Sequence, residues 1–330
     1  MRRREFIGLL GGAVTAWPLS ARAQKSEHIR SIGLLLGMPP GDRRRQAWLA
    51  RFIQGLEQLG WIEGRNLRID IRWNADGPDR AQPAATELVN LAPDVILSHG
   101  TPALAALHRT THSIPVVFVV VVDPVGAGYV KSLARPGANI TGFSSFEPEI
   151  GGKWLELLKA IKPDLTRVTG ILDPGFKGFA GVWSAIEVMA PRLGLEAASI
   201  PLRASSDDIE SAVATFAQKP TGGLIVLPTT INNSLRHRII ALAARYRLPA
   251  VFPFQDYVAD GGLISYGIDA ADLFHRGASY VDRILKGEKP ADLPVQAPTK
   301  FELSINLRTA KAAGFTVPPT LLSQANEVIE

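Results

Sequence analysis

Val116–Val122 reads VVFVVVV, seven consecutive apolar residues of which six are valine. β-branched side chains favour the extended backbone. A strand with no polar alternation must be covered on both faces, as in a parallel sheet with helices packed on either side. This run therefore commits the chain to an α/β architecture.

The flanking sequence repeats that theme. Ser31–Gly37 (SIGLLLG) is a second strand of the buried type, and Asn66–Trp73 alternates with period two. Val95–Ser98 and Asn139–Ser145 complete a first set of strands. Between them, Ala47–Gly60 places Trp48, Phe52, Ile53, Leu56 and Leu59 at amphipathic helical spacing. Arg80–Leu91 and a segment opened by Pro102 are also helical, since proline is tolerated in a helix's first turn. After the helix Ile150–Ile161 the pattern runs again. Strands are predicted at Val168–Leu172, Glu196–Pro201, Leu224–Leu227, Ala250–Phe252 and Leu263–Ser265, with helices at Phe179–Leu193, Asp207–Gln218 and Leu235–Tyr246. Such alternation predicts parallel sheets with right-handed crossovers, and its repetition predicts two similar lobes. The tail breaks the pattern with a helix at Ala270–Leu285, a strand at Phe301–Ile305 and two short helices. These late elements must join sheets already built, so the chain is expected to pass between lobes near Ser144, Gly267 and Leu293. The expected lobes are 30–144 plus 268–292, and 145–267 plus 294–330.

The first residues, MRRREFIGLLGGAVTAWPLSARAQ, combine a basic start, an apolar run at Ile7–Trp17 and the small-x-small sequence Ala21-Arg22-Ala23. This is the signature of an export signal at residues 1–23, cleaved after Ala23. Arg3-Arg4-Glu5-Phe6-Ile7 fits the twin-arginine variant. The run falls short of the ~20 apolar residues a membrane span needs. There is no cysteine in the chain, hence none to carry a lipid after the signal, and the expected location is free in a periplasm. The signal's four arginines and one glutamate carry most of the net charge of +5, so the remainder is close to neutral. Nucleic acid, which calls for a clustered basic stripe, is not an expected partner. The remaining basic run, Arg43-Arg44-Arg45, reads as a solvated face at the opening of a helix.

In open parallel sheets ligands bind beyond the carboxyl ends of the strands. Those ends carry Met38, Thr101, Pro102, Asp123 and Pro124 in the first set, and Asp173, Phe176, Thr229, Thr230, Phe254, Gln255 and Asp256 in the second. Hydroxyls of Thr101, Ser144, Thr229 and Thr230, with free amides at helix starts, suit a carboxylate. Asp123 or Asp256 would take a ligand amine, and Phe254, Phe176 and Met38 would cover an apolar body. Each has a structural alternative. Asp123 and Asp173 precede proline and serve equally as caps, Thr101 as an N-cap, and Phe254 and Met38 as core.

Two long segments, VVDPVGAGYVKSLARPGANITGFS from Val121 and GLISYGIDAADLFHRGASYVDRILKGEKPADLPVQAPTKFELSINLRTAKAAGFTVPPTLL from Gly262, resemble the substrate-binding proteins of ABC transporters of the tryptophan/tyrosine type. The resemblance extends from about Ile32 to Ile329. It implies a type I periplasmic-binding-protein fold: two Rossmann-like lobes, three hinge crossings and a ligand closed between them. It also implies delivery of a small-molecule solute to the permease subunits of an importer, by a monomer without cofactor. Carried to matching positions, it places Asp123, Pro124 and Ser144 at the cleft or hinge.

An enzyme and a sensor are the rival classes. The chain contains no GxSxG, HExxH, GxxxxGK[ST] or zinc-type spacing, which argues against an enzyme. His108 and His112 stand four apart without an acid between them and read as surface residues, not a metal site. A periplasmic sensor that partners a membrane receptor would share the fold and the cleft. The ligand is open among aromatic amino acids, branched ones and aromatic acids.

Overall fold

The computed structural model describes residues 29–74, 78–172, 177–201 and 206–330. The first sheet contains β1 (Arg30–Leu36), β2 (Leu67–Trp73), β3 (Val95–His99), β4 (Val116–Val121) and β5 (Ile140–Ser144). All pairs are parallel and the order is β2-β1-β3-β4-β5. Helices α1 (Arg43–Gln58), α2 (Pro78–Asn90) and α3 (Thr101–Thr110) make the crossovers. The second sheet contains β6 (Arg167–Leu172), β7 (Glu196–Pro201), β8 (Gly222–Val226), β9 (Ala250–Phe252), β10 (Ile264–Ile268), β11 (Phe301–Asn306) and β12 (Glu327–Ile329). Its order is β12-β11-β10-β9-β8-β6-β7. Read from β7 to β10, this repeats the strand order of the first sheet. β11 then adds antiparallel to β10, and β12 parallel to β11. Helices α4 (Ile150–Ile161), α5 (Ala180–Met189), α6 (Ser206–Ala217), α7 (Thr230–Ser234), α8 (Arg236–Arg245), α9 (Gln255–Ala259), α10 (Ala270–Leu285), α11 (Leu307–Ala313) and α12 (Pro319–Leu322) complete the chain. The α/β class and the two-lobe fold expected from the sequence are what the structure has.

The valine run explains the first sheet. Val117 and Val119 join Leu34, Leu36 and Leu97 in the core on one face, while Val116, Phe118 and Val121 join Leu35 and Ile96 on the other. Both faces are therefore dry. The alternation slips between Val119 and Val121, where the register with β5 shifts. Val120 is the extra residue, held at φ 56°. A β-branched residue is strained there, and the bulge turns its side chain out of the sheet.

α10 lies on the first sheet although it follows β10 of the second. It packs along α1, and Trp61 Nε1 donates to Asp282 at 2.9 Å. Gly277 lets the helix settle on Val119 and Leu97, which a Cβ would meet at 3.2 and 3.3 Å. The chain then runs along β5: Gln296 N donates to Gly142 O and Ser144 N to Gln296 O. From there it returns to the second sheet as β11.

Three local features differ from the sequence reading. α1 starts at Arg43, four residues early. The helix expected over 179–193 becomes α5 and a 3-10 turn at Ala190–Leu193, because Pro191 cannot continue the α-helical hydrogen bonding. β12 was not anticipated; its three residues pair only with β11.

Gly267 in β10 marks a tight approach. A Cβ there would stand 1.7 Å from the Pro253 carbonyl oxygen. Gly267→Ala should lower stability by about 1–3 kcal/mol, measured as a reduced urea midpoint. Gly41→Ala, where a Cβ meets nothing within 4 Å, should leave the midpoint unchanged.

Candidate functional site

Each sheet reverses strand order once, between β1 and β3 in the first and between β6 and β8 in the second. The crevices outside the carboxyl ends at such points are where α/β sheets hold ligands. Here the two crevices face one another across a cavity of ≈ 260 Å³. One wall is formed by Gly37 after β1, Arg45 and Trp48 on α1, His99 to Pro102 at the β3–α3 junction, and Val120 and Val122 at the end of β4. Ser145 and Phe146 follow β5. Phe179, Pro228, Thr229, Ile231, Asn233 and Phe254 supply the opposite wall.

The polar groups divide by availability. α3 has no side-chain cap at Gly100 and begins Thr101-Pro102, so amides of its first turn have no partner within the helix. Ser145 is fully buried and its Oγ has no hydrogen-bond partner among the described residues; the same holds for His99 Nδ1. Thr229 already caps α7, accepting from Asn232 N at 3.2 Å. Burial, aided by the charge of Arg45, pushes His99 down to about 3, so its ring is neutral throughout the physiological range. It packs against Trp48 and Phe274 at centroid distances of 5.9 and 5.4 Å.

Arg45 is the principal correction to the sequence reading. It is 2% exposed, not part of a solvated face. Its Nη2 donates to Asp256 Oδ2 at 3.1 Å and to Asn233 Oδ1 at 3.2 Å, both on the far side of the cleft, and its guanidinium lies 5.4 Å from the Trp48 ring. A second pair crosses the cleft beside it, from Arg236 Nη1 to Asp42 Oδ2 at 2.8 Å. Arg236 is held in turn by Asp260 at 2.7 Å. Burial by itself would raise the Asp42 carboxyl. The hydrogen bond from Arg236, the Arg45 backbone N–H and the two guanidinium charges reverse this and hold it below its ordinary value.

The candidates named from sequence are placed differently by the structure. Thr101, Pro102, Thr229 and Phe254 line the cavity, and Thr230 is the first residue of α7. Met38 is buried beside it without lining it. Ser144 faces away: its Oγ donates to Glu147 Oε1 at 3.1 Å, while the neighbouring Ser145 faces in. Asp123 and Pro124 border a second cavity of ≈ 230 Å³ that shares Val122 and Phe146 with the first. Asp123 is exposed there and accepts from Gly126 N at 2.8 Å. Gln255 is exposed at the start of α9, and Asp256 is engaged with Arg45 and Arg236. Asp173 and Phe176 lie outside the described residues. Arg45, Trp48, His99, Val120 and Ser145 were not chosen from sequence. The spacing of Arg45 and Trp48, one turn apart at the start of a helix that follows a strand end, was the available signal. Among the described residues no three metal-capable side chains gather.

A family model for ABC transporter substrate binding proteins matches residues 44–329. The chain belongs to this family. A tyrosine-binding protein of Clostridioides difficile (strain R20291) is 27% identical over 295 residues, 87% of this chain and 81% of that protein. A conserved domain protein of Vibrio cholerae shares 29% identity with a TM-score of 0.84, and an ABC domain in complex with L-Trp from Streptococcus pneumonia shares 25% with the same TM-score. Both alignments cover 91% of this chain and 99% of the other. The tryptophan/tyrosine-type resemblance read from the two long motifs is thus borne out. The family is one of binding proteins, not of enzymes.

Two expectations follow from this substrate-binding geometry. His99 is neutral when folded and titrates near 6.5 when unfolded. The unfolded chain therefore takes up the extra proton as pH falls below about 6.5, and stability drops by up to ~1.4 kcal/mol per pH unit down to about 3. Urea midpoints at pH 7, 5.5 and 4 should show this slope, and His99→Phe should reduce it. Arg236→Gln leaves the carboxylates of Asp42 and Asp256 with less compensating charge in the closed form and should shift the ligand-free protein towards an open form, seen as a larger radius of gyration by X-ray scattering.

Proposed function

We propose that this chain is the periplasmic solute receptor of an ABC importer. Its substrate is a small organic solute, an amino acid or another carboxylate with an aromatic or branched body, which it carries as a monomer to the permease subunits. The observation that supports this most is the cavity itself, enclosed between two sheets at the switch point of each and crossed by ion pairs that require the lobes to be closed. A tyrosine-binding relative and a tryptophan-bound structural neighbour favour the aromatic end of that range. The ligand acid meets the α3 amides, Thr101, Ser145 and the hydroxyl of Thr229, and its body meets Trp48 and Phe254. The lobes comprise 30–144 with 268–292 and 145–267 with 294–330, a division supported by the packing of α10 on α1 and the pairing of β11 with β10. Residues 1–23, which lie outside the described residues, are a twin-arginine signal removed after Ala23, and no lipid anchors the product. Among the described residues no helix is long and apolar enough to cross a membrane.

A thermal-shift screen of amino acids and organic acids tests the binding reading. A ligand at 100 times its dissociation constant should add ~2.7 kcal/mol of stability, and Thr101→Val should weaken the same hit. Chemical conversion of the hit, or a screen with no hit, contradicts the proposal. For export, N-terminal sequencing of periplasmic protein should begin at Gln24, and Arg3→Lys with Arg4→Lys should block the twin-arginine route.

A further inference from the structure

The cavity's charge pattern narrows the ligand, given that the chain binds a solute between its lobes as proposed above. Three features favour a carboxylate. Arg45 brings a buried guanidinium to the wall; its bonds to Asp256 and Asn233 use Nε and Nη2, leaving Nη1 as the edge those bonds do not occupy. The uncapped start of the ten-residue α3 points amides at the same space. Ser145, fully buried, presents a hydroxyl with no partner among the described residues.

An ammonium group meets different conditions. Asp256 is shared between Arg45 and Arg236, and Asp42 bonds Arg236. Asp123 caps the Gly126 amide and Glu147 accepts from Ser144, both on the far side of Phe146 in the adjoining cavity. A cation placed beside Arg45 would be repelled by it in a low-dielectric site and would compete with two arginines for the same carboxylates. The wall also carries an aromatic cluster: Trp48, Phe146 and Phe254 lie in one chain of ring contacts at 5.7–5.8 Å. Within it, the unpartnered His99 Nδ1 offers one hydrogen bond to a polar ring substituent such as an indole N–H or a phenol O–H. The volume of ≈ 260 Å³ lies just below the usual range for drug-sized ligands, which suits a single small aromatic molecule.

We propose that the cavity selects aromatic monocarboxylates without an α-ammonium group, arylpropionate- or arylacetate-like acids, ahead of the aromatic amino acids of the same skeleton. Carboxylate recognition falls to Arg45, the α3 amides and Ser145, and ring recognition to Trp48, Phe146, Phe254 and His99.

Matched pairs test this directly. Calorimetric titration of the exported protein would compare L-tryptophan with indole-3-propionate, L-phenylalanine with 3-phenylpropionate, and L-tyrosine with 3-(4-hydroxyphenyl)propionate. In the pairs that bind, the acid should be tighter by at least tenfold, the scale of one favourable or unfavourable charged contact. An amino acid equal to or tighter than its acid overturns the proposal. So does a result in which none of the six binds. If another solute class then gives a hit, the solute-receptor reading stands alone; if no solute binds at all, both fall. Arg45→Gln, with its fold checked by circular dichroism, should abolish the preference for 3-phenylpropionate over 3-phenylpropionamide. Ser145→Ala, which removes a single oxygen, should reduce that preference by about tenfold and serves if the arginine variant does not fold. Asp173, which follows β6 in the sequence and lies outside the described residues, provides the counter-test. Asp173→Asn should leave amino-acid affinity unchanged, and a tenfold loss would identify it as an ammonium partner and overturn the assignment.

Discussion

The contact between Arg45 and Asp256 organises the cleft. Both side chains are almost wholly buried, at 2% and 3% exposure, and they come from helices on opposite sides of the cleft. Removing two charges from water costs several kcal/mol per ion unless geometry and further hydrogen bonds compensate. Here they do: Asp256 receives both Nε and Nη2 of Arg45 and lies 3.6 Å from Arg236, while Asn233 accepts a bond from Arg45 and another, at 2.7 Å, from the Tyr257 hydroxyl. The bonds from Arg45 to Asp256 and Asn233 are within reach only where the lobes meet, whereas the Arg236 and Tyr257 contacts lie on the far side alone. The position of the guanidinium over Trp48, and with it the shape of the cavity wall, is therefore a property of the closed molecule.

The opposite end of the wall depends on backbone irregularity. β4 keeps its two dry faces through Val119, then inserts Val120 at φ 56° and resumes at Val121. The bulge turns Val120 into the cavity and leaves Val119 O to accept from Gly100 N, and Val121 O from Ser145 N. One strained valine thereby fixes two chain segments, the start of α3 and the segment after β5, that carry the unsatisfied amides and the Ser145 hydroxyl. Strain of this kind persists where surrounding structure over-determines it, and here the surroundings are the most apolar part of the sheet.

What could be read from the sequence follows from this division. Strands such as Val116–Val121, Glu196–Pro201 and Ala250–Phe252 and helices such as Ile150–Ile161 and Ala270–Leu285 announce themselves by periodicity, because burial of one or both faces is recorded residue by residue. Strand ends could be located too, which brought Thr101, Pro102, Thr229 and Phe254 to the cavity. Arg45 could not be found that way. An arginine in a run of three is ordinarily hydrated, and what buries this one is a carboxylate 211 residues away in sequence. Ser144 and Ser145 show the same limit at finer scale. Adjacent serines leave a strand end on opposite sides, and which one faces in depends on the Val121 carbonyl and on Gln296, a partner supplied by the segment between α10 and β11. β12 carried no signal because three residues on a sheet edge need no distinctive pattern.

On the proposed reading, closure and recognition are one event. In an open form Arg45, Asp42, Arg236 and Asp256 would each regain water, so the cross-cleft pairs add little net driving force; they decide how the lobes meet more than whether they do. The drive must come from apolar surface removed from water, and a solute adds to it by covering the cavity side of the ring cluster of Trp48, Phe146 and Phe254. A solute that touches one wall alone binds open and closed forms alike and shifts nothing. A solute whose ring reaches the aromatic wall while its acid reaches Arg45 and the α3 amides has contacts that exist only in the closed arrangement. The same buried charges that fix the geometry thus make closure conditional on the chemistry of what is enclosed.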